Sequence, residues 1–121
     1  MDADEPNADQ GPTGRAVRDL AEVPAVEVIT TTALHLMSAA AVKVGLAEDE
    51  AAAGHLDLDE ARKLITALAG LVTAAAPDLG SFHAAPLRDG LQTLQRAFRE
   101  ASPVPDAPGE GPGERLTGPV G

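Results

Sequence analysis

From Val28 to Val42 the chain runs fifteen residues without an Asp, Glu, Lys or Arg. A segment this apolar must be covered, so it dictates the architecture around it. Val26, Ile29, Ala33, Leu36, Ala40 and Val44 recur at three- and four-residue spacing, the signature of one helical stripe. Leu34, Met37 and Ala41 widen that stripe over much of the circumference. Pro24 suits the start of this helix, because the missing N–H is not needed there. Gly45 is a stop signal, and Arg15 to Ala21 can add a short preceding turn. A bilayer core requires roughly 20 apolar residues. Here Glu27 and Lys43 bracket the uncharged run, and four hydroxyl residues (Thr30, Thr31, Thr32 and Ser38) lie within it. The expected cover is protein, not membrane.

A second helix opens at Asp57, an N-cap residue, with Glu60 placed to complete a capping box. Leu58, Ala61, Ile65, Leu68, Val72 and Ala75 form its stripe, flanked by Leu64 and Leu71, and Pro77 is expected to stop it. A third helix is expected from about Pro86, with Leu87, Leu91, Leu94, Phe98 and Ala101 on one face. Its other face holds Arg88, Asp89, Gln92, Gln95, Arg96, Arg99 and Glu100. Three helices, short connections and no strand pattern predict an all-α fold, a helical hairpin plus a third helix.

The ends differ in composition. Residues 1–14 carry Asp2, Asp4, Glu5 and Asp9 with no base, and residues 102–121 alternate Pro and Gly. Both are expected to be disordered tails around a helical domain at 15–101. Of the net charge of −10, the first tail holds −4, the last −2 and the domain the remaining −4. No lysine- and arginine-rich surface of the kind that neutralises phosphates is present, so no nucleic-acid partner is expected. With no cysteine, thiolate metal sites and disulfides are excluded. The acidic N-terminal stretch has no apolar run of the signal-peptide type, and a cytoplasmic location is expected.

Few residues suggest chemistry. His35 and Ser38 lie three apart on the first helix, a spacing at which a base could reach a nucleophile, yet no neighbouring carboxylate orients the imidazole. His55, Asp57, Asp59 and Glu60 crowd one short segment, and His35, His55 and His83 form another possible ligand set. Asp57 and Glu60 already have a capping task, and neither HExxH nor an EF-hand pattern is present. "GEGPGERLTG" has the glycine content of a phosphate loop, but no strand precedes it and Pro112 removes an amide. A solvated tail is the expectation there. Arg88, Arg96 and Arg99 read as a solvated face partly paired with Asp89 and Glu100.

Three blocks carry a family likeness: "AEVPAVEVITTTALHLMSAAAVKVGLAED", "DLDEARKLITALAGLVTAAAPDLGSFHAAPLRDGLQTLQRAFREAS" and "GPGERLTG". In this order, over about residues 17–118, they resemble the actinobacterial branch of domain-of-unknown-function family 1844. The resemblance implies a small, mainly helical, cytoplasmic bacterial protein with no assigned activity. Members are often encoded near a translation initiation factor gene, and the resemblance therefore implies a link to translation. It supplies no catalytic residues.

The expected function is that of a non-enzymatic interaction protein that self-associates, a dimer being favoured, and binds another protein, with no catalytic residue, cofactor or metal. The candidate interface is Ala33, Met37, Ala40, Ala41 and Val44, small or adaptable residues that permit close helix approach. The alternative is a small-ligand or metal-binding module using His35, or His55 with Asp57 and Asp59.

Overall fold

The computed structural model describes residues 20–46 and 54–120. Among these residues are three long helices, α1 (Ala25–Lys43), α2 (Leu58–Leu79) and α3 (Ser81–Ala101), and a single turn, α4 (Glu114–Thr117). Among the described residues there is no strand, and the all-α expectation holds. The expected disorder of residues 1–14 lies outside the described residues.

Each helix starts and stops for local reasons. The α1 C-terminus closes with Gly45 N–H on Val42 O and Leu46 N–H on Ala41 O, the paired bonds that satisfy the last carbonyls of a helix. Asp57 caps α2 by accepting from the Glu60 N–H at 3.2 Å. The reciprocal half of the expected capping box is absent. The Asp57 N–H donates instead to Lys43 O at 2.8 Å, tying the start of α2 to the end of α1. Glu60 turns to Lys63 at 2.7 Å. That hydrogen bond, and then the Glu60 charge, raise the Lys63 pKa. The pair therefore favours the fold below the ordinary lysine pKa, and its contribution disappears as pH rises through the raised value. Both side chains are well exposed, which keeps the effect slight.

Two boundaries differ from expectation, both at prolines. α2 runs through Pro77 to Leu79, and α3 begins at Ser81 with Pro86 inside it. A proline deprives only the carbonyl four residues earlier of its bond. Those carbonyls belong to Thr73 and Phe82, both on the exposed side, where water can take the place of the lost amide. Between the helices stands Gly80 alone, at φ +80°, a conformation that disfavours a side chain and lets α3 turn back at once.

The centre of the molecule is α2, which packs against α1, α3 and α4. It buries Ala61, Ile65, Leu68, Ala69, Val72, Ala75, Ala76 and Leu79, and α3 answers with Ala84, Leu87, Leu91, Leu94, Ala97 and Phe98. Each fully buried Leu or Ile is worth about 1.5–3 kcal/mol. Eight of the seventeen buried apolar residues are alanine, so the helices lie close together and the core holds little bulk. α1 contributes least, burying only Ala33 and Ala40, followed by Val44 just past its end. Met37 reaches across to α3. A Cβ built on Gly90 would lie 2.0 Å from the Met37 Cε, so the glycine in mid-helix is the socket for that methionine.

The residues after Ala101 differ from the expected solvated tail. Residues 102–120 fold back along the α2–α3 face, and Pro112 and Glu114 within them are buried. The physical reason is that polar contacts and close fit, not apolar content, hold this segment in place.

Candidate functional site: the face under the C-terminal strap

The strap begins where Ser102 closes α3, its hydroxyl donating to Phe98 O at 2.7 Å. Asp106 then meets two arginines. Arg62 of α2 pairs with its carboxylate at 2.9 Å, and Arg99 of α3 donates to its carbonyl at 3.4 Å. The Arg62 guanidinium also lies over the Phe98 ring, 4.9 Å from its centroid. Half-exposed contacts of this kind contribute roughly 0–1 kcal/mol each, enough to set a direction rather than to lock it.

Beyond Asp106 the strap organises itself. The Glu114 carboxylate curls back to accept the Gly109 N–H at 2.9 Å, and the Glu114 N–H donates to Gly111 O at 3.0 Å. Gly111 must lack a side chain, because a Cβ there would sit 2.5 Å from the Glu114 carboxylate oxygen. Gly118 N–H donates to Glu114 O at 2.8 Å, completing the α4 turn. "GPGERLTG" is thus a compact loop and turn, and the Glu114 carboxylate already takes the Gly109 amide.

Gln95 joins this unit to the helices. It was expected on the solvated face of the third helix, yet it is 1% exposed. Its Nε2 donates to Pro112 O at 3.0 Å and to the Thr117 hydroxyl at 3.1 Å, while its Oε1 has no partner among the described residues. Gly113, at φ +76°, lies against α2 so closely that a Cβ would come 2.5 Å from the Ala69 Cβ. The same glycine lies beside Gln95, whose Nε2 is 3.3 Å from that position. Beside the strap, a cleft of about 270 Å³ is lined by Thr73, Arg88, Leu91, Gln92, Leu116 and Thr117 among others.

The residues singled out in the sequence fall elsewhere. Ala33, Ala40 and Val44 are buried within this chain, and Met37 and Ala41 pack against the same core. That corrects their assignment to an interface. The small residues are the ones that let α1 approach α2 and α3, so they are spent on the chain's own core, and larger Leu34 and Val28 remain outside. His35 and Ser38 are both exposed, and no hydrogen bond among the described residues joins them. His55, Asp57 and Asp59 are exposed as well, and His83 stands edge-on to Phe82 with ring centroids 5.2 Å apart. Among the described residues no three His, Cys, Asp or Glu side chains are grouped so as to hold a metal ion. Nor do Arg88, Arg96 or Arg99 pair with Asp89 or Glu100; Arg99 is engaged by the strap instead.

Sequence reasoning missed the residues that matter most here, Gln95, Ala69, Gly113 and Glu114. A signal was present: Gln95 falls four residues after Leu91 and three before Phe98, a lone amide at the edge of the apolar stripe. No curated protein and no solved structure matches the chain. The sequence profile of the family described as Domain of unknown function (DUF1844) matches residues 25–100, which takes in all of α1 and α2 and nearly all of α3 but leaves the strap outside. With well over half of its length matched, the chain belongs to that family.

Proposed function

We propose that the protein is a non-enzymatic, cytoplasmic interaction protein that self-associates through the outward face of α1 and binds another protein as that assembly. The observation that carries this reading is the uncharged run from Val28 to Val42, whose outer side none of the described residues covers. Leu34 is 50% exposed and Val28 36%, with Thr31, His35 and Ser38 beside them. The Thr32 hydroxyl donates to Val28 O at 2.8 Å, so this part of the face asks little of water. A second copy laid across a two-fold axis would cover the same residues on both partners.

By length and composition α1 is also apolar enough to cross a membrane. Ala33 and Ala40 on its inner side belong to the protein core, and hydroxyls are spread over the outer side. Both features favour a protein neighbour over lipid. A non-enzymatic role draws support from the exposure of His35 and Ser38, and the net charge of −10 argues against nucleic acid.

The test is Leu34→Glu, which puts a charge on the outer face and leaves the core untouched. Sedimentation equilibrium at micromolar concentration is expected to show wild type as a dimer or larger and the variant as a folded monomer. A wild type that remains monomeric as concentration rises overturns the proposal. Ala40→Glu cannot serve, because it would bury a carboxylate in the chain's own core.

A further inference from the structure

The strap is built as a separable ligand of the helices that carry it. The cluster of buried apolar side chains draws only on residues 33 to 98, and from the strap only Pro112 and Glu114 are buried. Val104 is 85% exposed and Leu116 53%, so Pro112 is the one buried apolar side chain among the strap's described residues. Its internal hydrogen bonds, from Gly109 N–H on Glu114 to Gly118 N–H on the Glu114 carbonyl, give it shape without help from the helices. What the helices provide is a reading surface. Gln95 recognises a backbone carbonyl and a hydroxyl five residues apart, and Ala69 admits a glycine and nothing larger.

Two features make the contact reversible. No side chain of the buried apolar cluster belongs to the strap, and the face beneath it carries the Gln95 amide, a group that water can satisfy. With the strap in place the Gln95 Oε1 has no partner among the described residues, and opening brings it to water.

We propose that the α2–α3 face is a recognition site for a Gly-Pro-Gly-Glu segment with Thr117 in the following turn, and that the site takes this segment either from its own chain or from a second copy. The tether favours the chain's own strap by raising its local concentration. Release of that strap turns the same face into an acceptor for the partner copy. Pro103 and Pro105 stiffen the link after α3, and Pro108 opens the turn that starts the compact part, so that this part can swing out as a unit. This route to association is independent of the α1 face.

The experiment uses the full chain carrying Gly113→Ala, in which the new Cβ meets Ala69 and dislodges the chain's own strap, and a fluorescent wild-type peptide of residues 103–120. The variant is expected to keep its helical circular dichroism and to bind the peptide at least about tenfold more tightly than wild type, whose tethered strap competes. Adding Gln95→Leu to the variant is expected to weaken the peptide roughly five- to 150-fold, the value of its two lost hydrogen bonds. A peptide that itself carries Gly113→Ala is expected not to bind. Equal binding to wild type and variant, or no binding to a helical variant, overturns the proposal. Loss of the helices on strap release does so too, since the strap would then be part of the folding unit. Hydrogen exchange on unaltered protein supplies a second measurement. The amides of Leu116, Thr117 and Gly118 are expected to exchange through an opening that leaves α2 and α3 protected, and protection equal to that of those helices contradicts a separable strap.

Discussion

Asp57 and Gly90 show how much a single residue settles in so small a core. Asp57 sits in a crowd of His55, Asp59 and Glu60 that invites a metal reading, yet its carboxylate is bonded to the Glu60 N–H. Asp57→Ala is expected to cost about 0.5–2 kcal/mol, the range for an N-cap. Denaturant titration should give the same loss with and without a chelator; a deficit that vanishes in the chelator would restore the metal reading. Gly90 is a different case, because two effects oppose each other. Alanine gains about 1 kcal/mol of helix propensity over glycine, but its Cβ takes the place of the Met37 Cε. Methionine can swing aside, so Gly90→Ala is expected to be close to neutral by itself. In a Met37→Val background, where the obstacle is gone, the same change is expected to stabilise by roughly 0.5–1 kcal/mol. Identical effects in the two backgrounds would show that Met37 does not fill that socket.

At the level of elements, periodicity was a good guide wherever one face of a helix does one task. The α2 stripe of Ala61, Ile65, Leu68, Val72 and Ala75 is buried as its spacing requires. Breakers were less legible, because a proline's lost bond and ring clash are a cost that a helix can carry where the orphaned carbonyl reaches water. Pro86 therefore remains a cost inside α3 that has not ended it. Pro86→Ala restores a donor for Phe82 O and removes the ring's clash, at the expense of a more flexible unfolded chain worth about 0.4–1 kcal/mol. The balance is expected to be a gain of about 1–2 kcal/mol, visible as a higher melting temperature; a fall would mean that the proline's bend is needed for α3 to follow α2. The stripe of α1 misled for another reason. Spacing identifies a face but not its partner, and Ala33, Ala40 and Val44 suit the chain's own α2 and α3 as well as they would suit a second copy.

For the molecule as a whole, the least legible part was the strap, since its sequence has the composition of a disordered tail. Five prolines and five glycines in residues 102–121 suppress helix and strand but do not forbid a single compact loop. Such a loop is read from the fit of particular atoms, the Gly113 backbone on Ala69 and the Gln95 amide between Pro112 and Thr117, which no periodicity announces. The consequence for stability follows from which contacts are lost. Removing residues 103–121 deletes two hydrogen bonds of Gln95, worth about 0.5–1.5 kcal/mol each, and the Arg62–Asp106 pair, worth roughly 0–1 kcal/mol. It removes no residue of the apolar core. A chain ending at Ser102 is therefore expected to melt lower by an amount equivalent to about 1–4 kcal/mol, with its helical circular dichroism at low temperature unchanged per helical residue. An unchanged melting temperature would return the segment to the status of a solvated tail. Loss of cooperative melting would show instead that three helices so rich in alanine cannot hold their packing without the strap across α2 and α3.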